Sequence, residues 1–230
     1  YFSENITYSY DEKEKEFNIY QSKPGARAFF YRGKLKNIKI IFNGLNDQLQ
    51  PELINYPIDE RGLTGCLSLI NLIVKNVTIK SNKSSCEDAV NFIKVEGTLN
   101  EINIIDSFRD GLDIDSSEVE IDYINISSSK NDCVDLSAGS YKFNKLHLTN
   151  CGDKGLSVGE KSVLQLNGIF VENSNIGIAS KDSSITKINS AYLKNLKTCV
   201  SAYNKKQEFF GGLLEVKNIK SKNFNKKIEQ

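Results

Sequence analysis

Asp88, Asp110, Asp132, Lys154, Ile176 and Thr198 follow one another at a constant step of 22 residues. The next position repeats as Ala89, Gly111, Cys133, Gly155, Gly177 and Cys199, a column of small residues. The one after repeats as Val90, Leu112, Val134, Leu156, Ile178 and Val200, a column of aliphatics. Such self-similarity restricts the chain to a solenoid, in which each repeat buries its apolar face only against its neighbours.

Within each repeat the pattern is that of a strand. "LDID", "VEID", "INIS", "KFNKLHL" and "SVLQL" alternate apolar and polar residues, the period of a half-buried strand. No window of helical period competes, and no "LxxLxLxxN" run supports a leucine-rich repeat. The expected fold is all-β: a single-stranded, right-handed parallel β-helix with 22-residue turns, one domain over residues 1–230. Its coils would stack about 4.8 Å apart.

The ends are less regular. "ARAFFYRGKLKNIKIIFNGL" reads as the first turns. Residues 46–62, with two of the three prolines, read as a lateral loop. Residues 1–20, with "DEKEKE", read as an exposed loop or edge, and the tail "KNIKSKNFNKKIEQ" as the start of another outer strand that turns basic and polar and then caps the open end or frays. Neither end carries an amphipathic capping helix, so a piece of a longer protein with further domains is expected. Asparagine and lysine are abundant throughout, and single residues of these types are given little weight.

The net charge is only +1, which gives no general field toward nucleic acid or membranes. No apolar run is long enough for a transmembrane helix, so no membrane insertion is expected. The five cysteines lack CxxC or Cys/His spacing, which argues against zinc. They read as small buried hydrophobes, and their odd number leaves at least one thiol outside any internal pairing.

Stacking turns sequence columns into ladders. Asp88, Asp110 and Asp132 lead to Lys154. Asn91, Asp113, Asp135 and Ser157 form a second ladder, and Glu87, Arg109, Asn131 and Asp153 a third. Like charges about 5 Å apart repel and push each other's pKa values apart, so one edge reads as a candidate cleft. By strict alternation Asp132 faces outward only if the chain bends at Cys133, whereas Asp113 and Asp135 already lie on the outward phase. Lys181, displaced sideways along the next turn, can face the same groove. Lys154 and Arg109 can also neutralise their neighbours in a purely structural arrangement. His147, between Leu146 and Leu148, is expected on the solvent face of another sheet. Nucleic acid is excluded as a partner because an acidic face repels phosphate.

"RDGLDIDSS", "NDCVDLSAGS", "NCGDKGLSVGEKS" and "GIASKDSS", over residues 109–184, resemble the NTDG, DDC, GHG and RIK blocks of polygalacturonase-type glycoside hydrolases, of the pectin-lyase-like superfamily. The resemblance implies that Asp110 matches the aspartate of the first block, Asp132 the second aspartate of the next, and Lys181 the lysine of the last. Three positions depart from the pattern. Asn131 stands where the family has its general acid, Lys154 near the histidine of the third block, and Ala179 for the arginine. An asparagine side chain cannot supply the proton that inverting hydrolysis needs.

Three functional expectations remain open. Lys154, beside Asp132 and Asp153, could serve as base in a lyase or epimerase, although acid neighbours raise a lysine's pKa. The groove could bind a polysaccharide or glycan without cleaving it, though the chain has no Trp for stacking. The solenoid could instead be a structural or adhesin-type surface module. Catalytic candidates are Asp110, Asp132, Lys154 and Lys181; substrate-binding candidates are Asp88, Arg109, Asp113, Asn131, Asp135 and Asp153. No resident cofactor or metal is expected. Calcium, which takes six to eight oxygens, could draw some from Asp110, Asp113, Asp132 and Asp135, but no RTX-type repeat supports it. An extracellular, cell-surface or periplasmic location is expected.

Overall fold

The computed structural model describes residues 1–45 and 58–229. They contain thirteen strands: β1 (Ile6–Asp11), β2 (Glu16–Gln21), β3 (Ala28–Lys36), β4 (Lys39–Asn43), β5 (Gly65–Ser84), β6 (Asp88–Ser107), β7 (Asp110–Asp115), β8 (Glu118–Ser129), β9 (Val134–Ser137), β10 (Ser140–Gly159), β11 (Val163–Lys181), β12 (Ile185–Tyr203) and β13 (Leu213–Glu229). Among the described residues there is no helix, hence none long and apolar enough to cross a membrane. Apart from the antiparallel pair β1–β2, the strand pairs are parallel and stack as the coils of a β-solenoid.

The 22-residue step is the coil. Asp88 lies opposite Asp110, Asp113 opposite Asp135, Lys154 opposite Ile176, and Ile176 opposite Thr198. The step lengthens where chain is inserted: Lys39 lies opposite Thr78, and Ile185 opposite Leu213. Within the expected loop at 46–62, residues 46–57 lie outside the described residues. Asp59 organises the turn at its end by accepting the N–H groups of Arg61 and Leu63.

Each coil turns a corner on a residue with left-handed backbone. One such column is Asp106, Ser128, Asn150, Asn173, Asn195 and Asn223. Asparagine tolerates this conformation better than most residues. It also ties the corner to its neighbour: Asn173 donates to Asn150 at 2.8 Å, Asn195 to Asn173 at 3.0 Å, and Asn223 to Asn195 at 3.0 Å. The asparagines discounted in the sequence are therefore a structural ladder.

The core is the stack of inward columns. Val90, Leu112, Val134 and Leu156 are fully buried, as are Phe92, Ile114, Leu136 and Val158. Burying each such side chain contributes about 1.5–3 kcal/mol. The small-residue column has a steric cause. A Cβ at Gly111 would lie 2.6 Å from the Cys133 carbonyl oxygen, and one at Gly155 2.5 Å from Val171 Cγ1.

Four of the five cysteines depart from their expected role. Cys66–Cys86 and Cys133–Cys151 are disulfides, and only Cys199 is a buried free thiol. Sequence separations of 20 and 18 bring successive coils together at the same edge. The expected exposed edge at the N-terminus is the β1–β2 hairpin, whose end packs Tyr8 on Phe2 and Phe30 on Phe17. The tail, expected to begin as an outer strand, continues as a parallel strand, β13, paired along β12.

Candidate functional site

The aspartates gather on one sheet, built from the first residues of β6, from β7 and β9, and from the last residues of β10, β11 and β12. Between its two inward columns, period-two alternation turns Asn91, Asp113, Asp135 and Ser157 to the outer face. One further step along the strand places Asp115, Ser137, Gly159, Lys181 and Tyr203 in a parallel outward column.

At the strand entrance, Asp132 sits in a bend between β8 and β9 and is buried. This bend answers the geometric condition posed by the sequence. Here the acids act as clamps between coils. Asp110 Oδ1 accepts the Asp132 N–H at 2.8 Å and the Asn131 side-chain amide at 2.6 Å. Asp132 Oδ1 accepts the Lys154 N–H at 2.9 Å. The Asn131 amide is thus a donor to Asp110 and offers no acid proton.

Lys154 lies beneath this bend, with Nζ 3.4 Å from Asp132 Oδ1 and a second ion pair to Asp153. Burial alone would lower its pKa, but the Asp132 and Asp153 charges outweigh burial and hold it above its ordinary value. As its acid neighbours imply, this favours the ammonium form of Lys154 over a ready base. Arg109 lies at the exposed rim and pairs with Glu87, its neighbour in the third ladder, at 3.0 Å.

Desolvation changes the protonation of the row. Burial pushes Asp88 up to about 8, with the Asp110, Glu87 and Asp115 charges adding and a Thr64 hydrogen bond opposing. Burial raises Asp132 to about 7, against the pull of the Lys154 ammonium. Asp113 is held well above the carboxylate range, first by burial and then by Asp88, Asp115, Asp135 and Asp110. Burial also raises Asp110 and Asp115. Asp113, next to Asp135 on the following coil, is thus the carboxyl that burial and its acidic neighbours bias toward the protonated form.

Lys181 completes the face. Its ammonium lies 3.6 Å from Asp135 Oδ1. Its stem passes over Gly159, where a Cβ would come 2.7 Å from Lys181 Cε. Several polar atoms of the face lack a hydrogen-bond partner among the described residues: Asp88 Oδ2, Asn91 Oδ1, Asp135 Oδ1 and Ser157 Oγ. The Asn91 amide donates to Asp113 Oδ2 at 3.1 Å, so its free carbonyl oxygen belongs to the same cluster.

The ten candidate residues divide accordingly. Asp88, Asp110, Asp113, Asp132 and Asp135 come together with Lys154, Lys181, Asn131 and Asp153, while Arg109 stays at the rim. Asp115 and Tyr203 were not singled out by the sequence. The signal was there, because Tyr203 falls 22 residues after Lys181. Burial raises the Tyr203 phenol, while Lys154 and Lys181 pull it down. His147 stays on another sheet, exposed and edge-on to Phe170 at 4.7 Å. Among the described residues no three His, Cys, Asp or Glu side chains are grouped to hold a metal ion. Comparison with protein-family models, with curated proteins and with solved structures gives no match.

Proposed function

We propose that the aspartate face binds a glycan across successive coils and cleaves it by acid–base chemistry. The observation that carries this reading is the contrast between neighbours. Asp113 is raised by burial and by its acidic neighbours, whereas Asp135 on the next coil is ion-paired with Lys181. Two carboxyls in unlike environments are what glycoside hydrolysis uses to separate its acid from its base. Asp113 would give a proton to the leaving oxygen, replacing the acid that Asn131 cannot be. Asp135 would act on the sugar or on water, with Lys154 and Lys181 stabilising charge that develops nearby. The resemblance to the polygalacturonase-type blocks supports a glycan as ligand, and the solenoid supports membership of the pectin-lyase-like superfamily. Two disulfides support an oxidising compartment outside the cytosol.

The second reading is a non-catalytic structural or adhesin-type module. It is favoured by Asp110 and Asp132, whose oxygens are engaged in clamping adjacent coils.

Product release from a panel of acidic, neutral and amino polysaccharides separates the two. Wild type is compared with Asp113→Asn and Asp135→Asn, with reducing ends and unsaturated uronates measured together. Reducing ends without unsaturation, lost in both variants, support hydrolysis. Unsaturated products would replace it with a lyase mechanism. Absence of any product from the folded wild type would overturn cleavage and leave binding or structure.

A further inference from the structure

The proposed face is rich in hydrogen-bond acceptors and poor in free cations. Asp88, Asp110, Asp113, Asp115, Asp132 and Asp135 crowd onto three coils. The cations beside them are already engaged: Lys154 by Asp132 and Asp153, Lys181 by Asp135, Arg109 by Glu87, and the buried Arg27 near Asp88 by the Thr64 and Gly65 carbonyls. A ligand carboxylate brought here would meet like charge with no uncommitted partner, a repulsion that grows as water is excluded.

A second, independent observation points to what is missing. Asn91 is fully buried and its Oδ1 accepts no hydrogen bond, although its amide is anchored to Asp113. Asp88 is 2% exposed and its Oδ2 is likewise unpartnered. A buried acceptor without a donor costs free energy. Asp135, whose side chain is partly exposed, adds a third acceptor in its buried Oδ1, which has only the ion pair to Lys181. The face therefore leaves buried acceptors unmet while its lysines are committed to carboxylates. An ammonium group supplies three N–H donors and one unit of positive charge.

We infer that the aspartate face selects a glycan carrying free amino groups, an amino-sugar polymer, over a polyuronate or a neutral chain. This rests on the glycan reading above and narrows its substrate class. The ammonium sits among the carboxyls around Asp113 and Asp135, and its arrival favours the ionised form of Asp113. Binding consequently releases protons. The net charge of the whole chain is +1, so the attraction belongs to this face and not to the molecule at large.

Isothermal titration tests this with oligomers of fully deacetylated chitosan, their N-acetylated counterparts, cello-oligosaccharides and oligogalacturonates, in two buffers of different ionisation enthalpy. The amine-bearing oligomer should bind at least about tenfold tighter than its acetylated counterpart, weaken with salt and release protons. Asp113→Asn, which copies the neutral acid in shape, should lose most of that preference. Glu120→Gln, on a different outward column, should keep it. Equal affinity for acetylated, neutral and amine-bearing chains would overturn the inference and leave the glycan reading standing, and so would preference for the galacturonate. Loss of the preference in Glu120→Gln as well would overturn it as non-specific charge attraction. Failure of every oligomer to bind would overturn both readings.

Discussion

Lys181 crosses a whole coil to meet Asp135. The lysine is on β11 and the aspartate on β9, and the strand between them offers Gly159 at the crossing point. Only a residue without Cβ leaves room for the aliphatic stem. The backbone of Gly159 has no positive φ, so alanine there is conformationally permitted and only the lysine must move. Gly159→Ala should therefore displace Lys181 and weaken glycan binding or turnover, at a stability cost of about 1 kcal/mol. Gly168→Ala is the control, since its Cβ would meet only Ser190 Oγ, at 3.4 Å. Thermal melts and ligand titration on both variants decide it. Equal effects would mean that the Lys181 path has no special role.

Lys154 should prove to be a structural cation first. It is 8% exposed and bonded to two carboxylates. Removing one partner of a buried pair leaves the other charge uncompensated, typically at about 3–5 kcal/mol. Lys154→Met is expected to destabilise the fold by an amount of that order. Adding Asp132→Asn should recover part of it, because the stranded charge is then gone. Chemical denaturation of the single and double variants measures the coupling. A double variant no more stable than Lys154→Met would show that Asp132 contributes mainly through its bond to the Lys154 N–H.

The thiol count should be one. Cys199 is buried and free, and the other four cysteines are paired. Without reductant, a thiol reagent should label nothing in the native protein and a single group in denaturant. Replacing both Cys133 and Cys151 by serine should cost about 3 kcal/mol, from the loop that their bond closes. More than one thiol in the unreduced, denatured protein would contradict the pairing.

The solenoid was legible because its cause is periodic. A strand that must stack on its copy repeats its small and aliphatic residues at the coil length, and the ladders of Asp110, Asp132 and Lys154 arise from that register. What stayed hidden depends on three-dimensional detail. The Asn150–Asn173–Asn195 ladder was obscured by a chain rich in asparagine everywhere. The disulfides join residues 20 and 18 apart, just short of one coil, so the clue was present but needed the corner geometry. The ladders showed that the acids would perturb one another, but not that burial is the larger cause of the raised pKa values of Asp113 and Asp88. The reach of Lys181 depends on one glycine a coil away.

Stability should fall as pH rises through neutrality. Asp88 and Asp132 have folded-state pKa values raised by burial to about 8 and about 7. In the unfolded chain an aspartate titrates near 3.9. Between these limits the folded state holds more protons than the unfolded state, so stability decreases with increasing pH. The contribution is complete below about pH 4 and is lost as pH passes 7 to 8. Each group acting alone has a limiting slope of about 1.4 kcal/mol per pH unit. Glu16, lowered by its bond to Lys39, and Asp59, where hydrogen bonds outweigh burial, act oppositely, but only below their ordinary range. Denaturant midpoints at pH 5, 6.5 and 8 should therefore descend. Asp88→Asn, which copies the neutral acid, should flatten the descent and gain most at pH 8. A stability that rises across this range would show that the aspartates of the face are ionised in the folded protein, and that solvent or a bound cation reaches them.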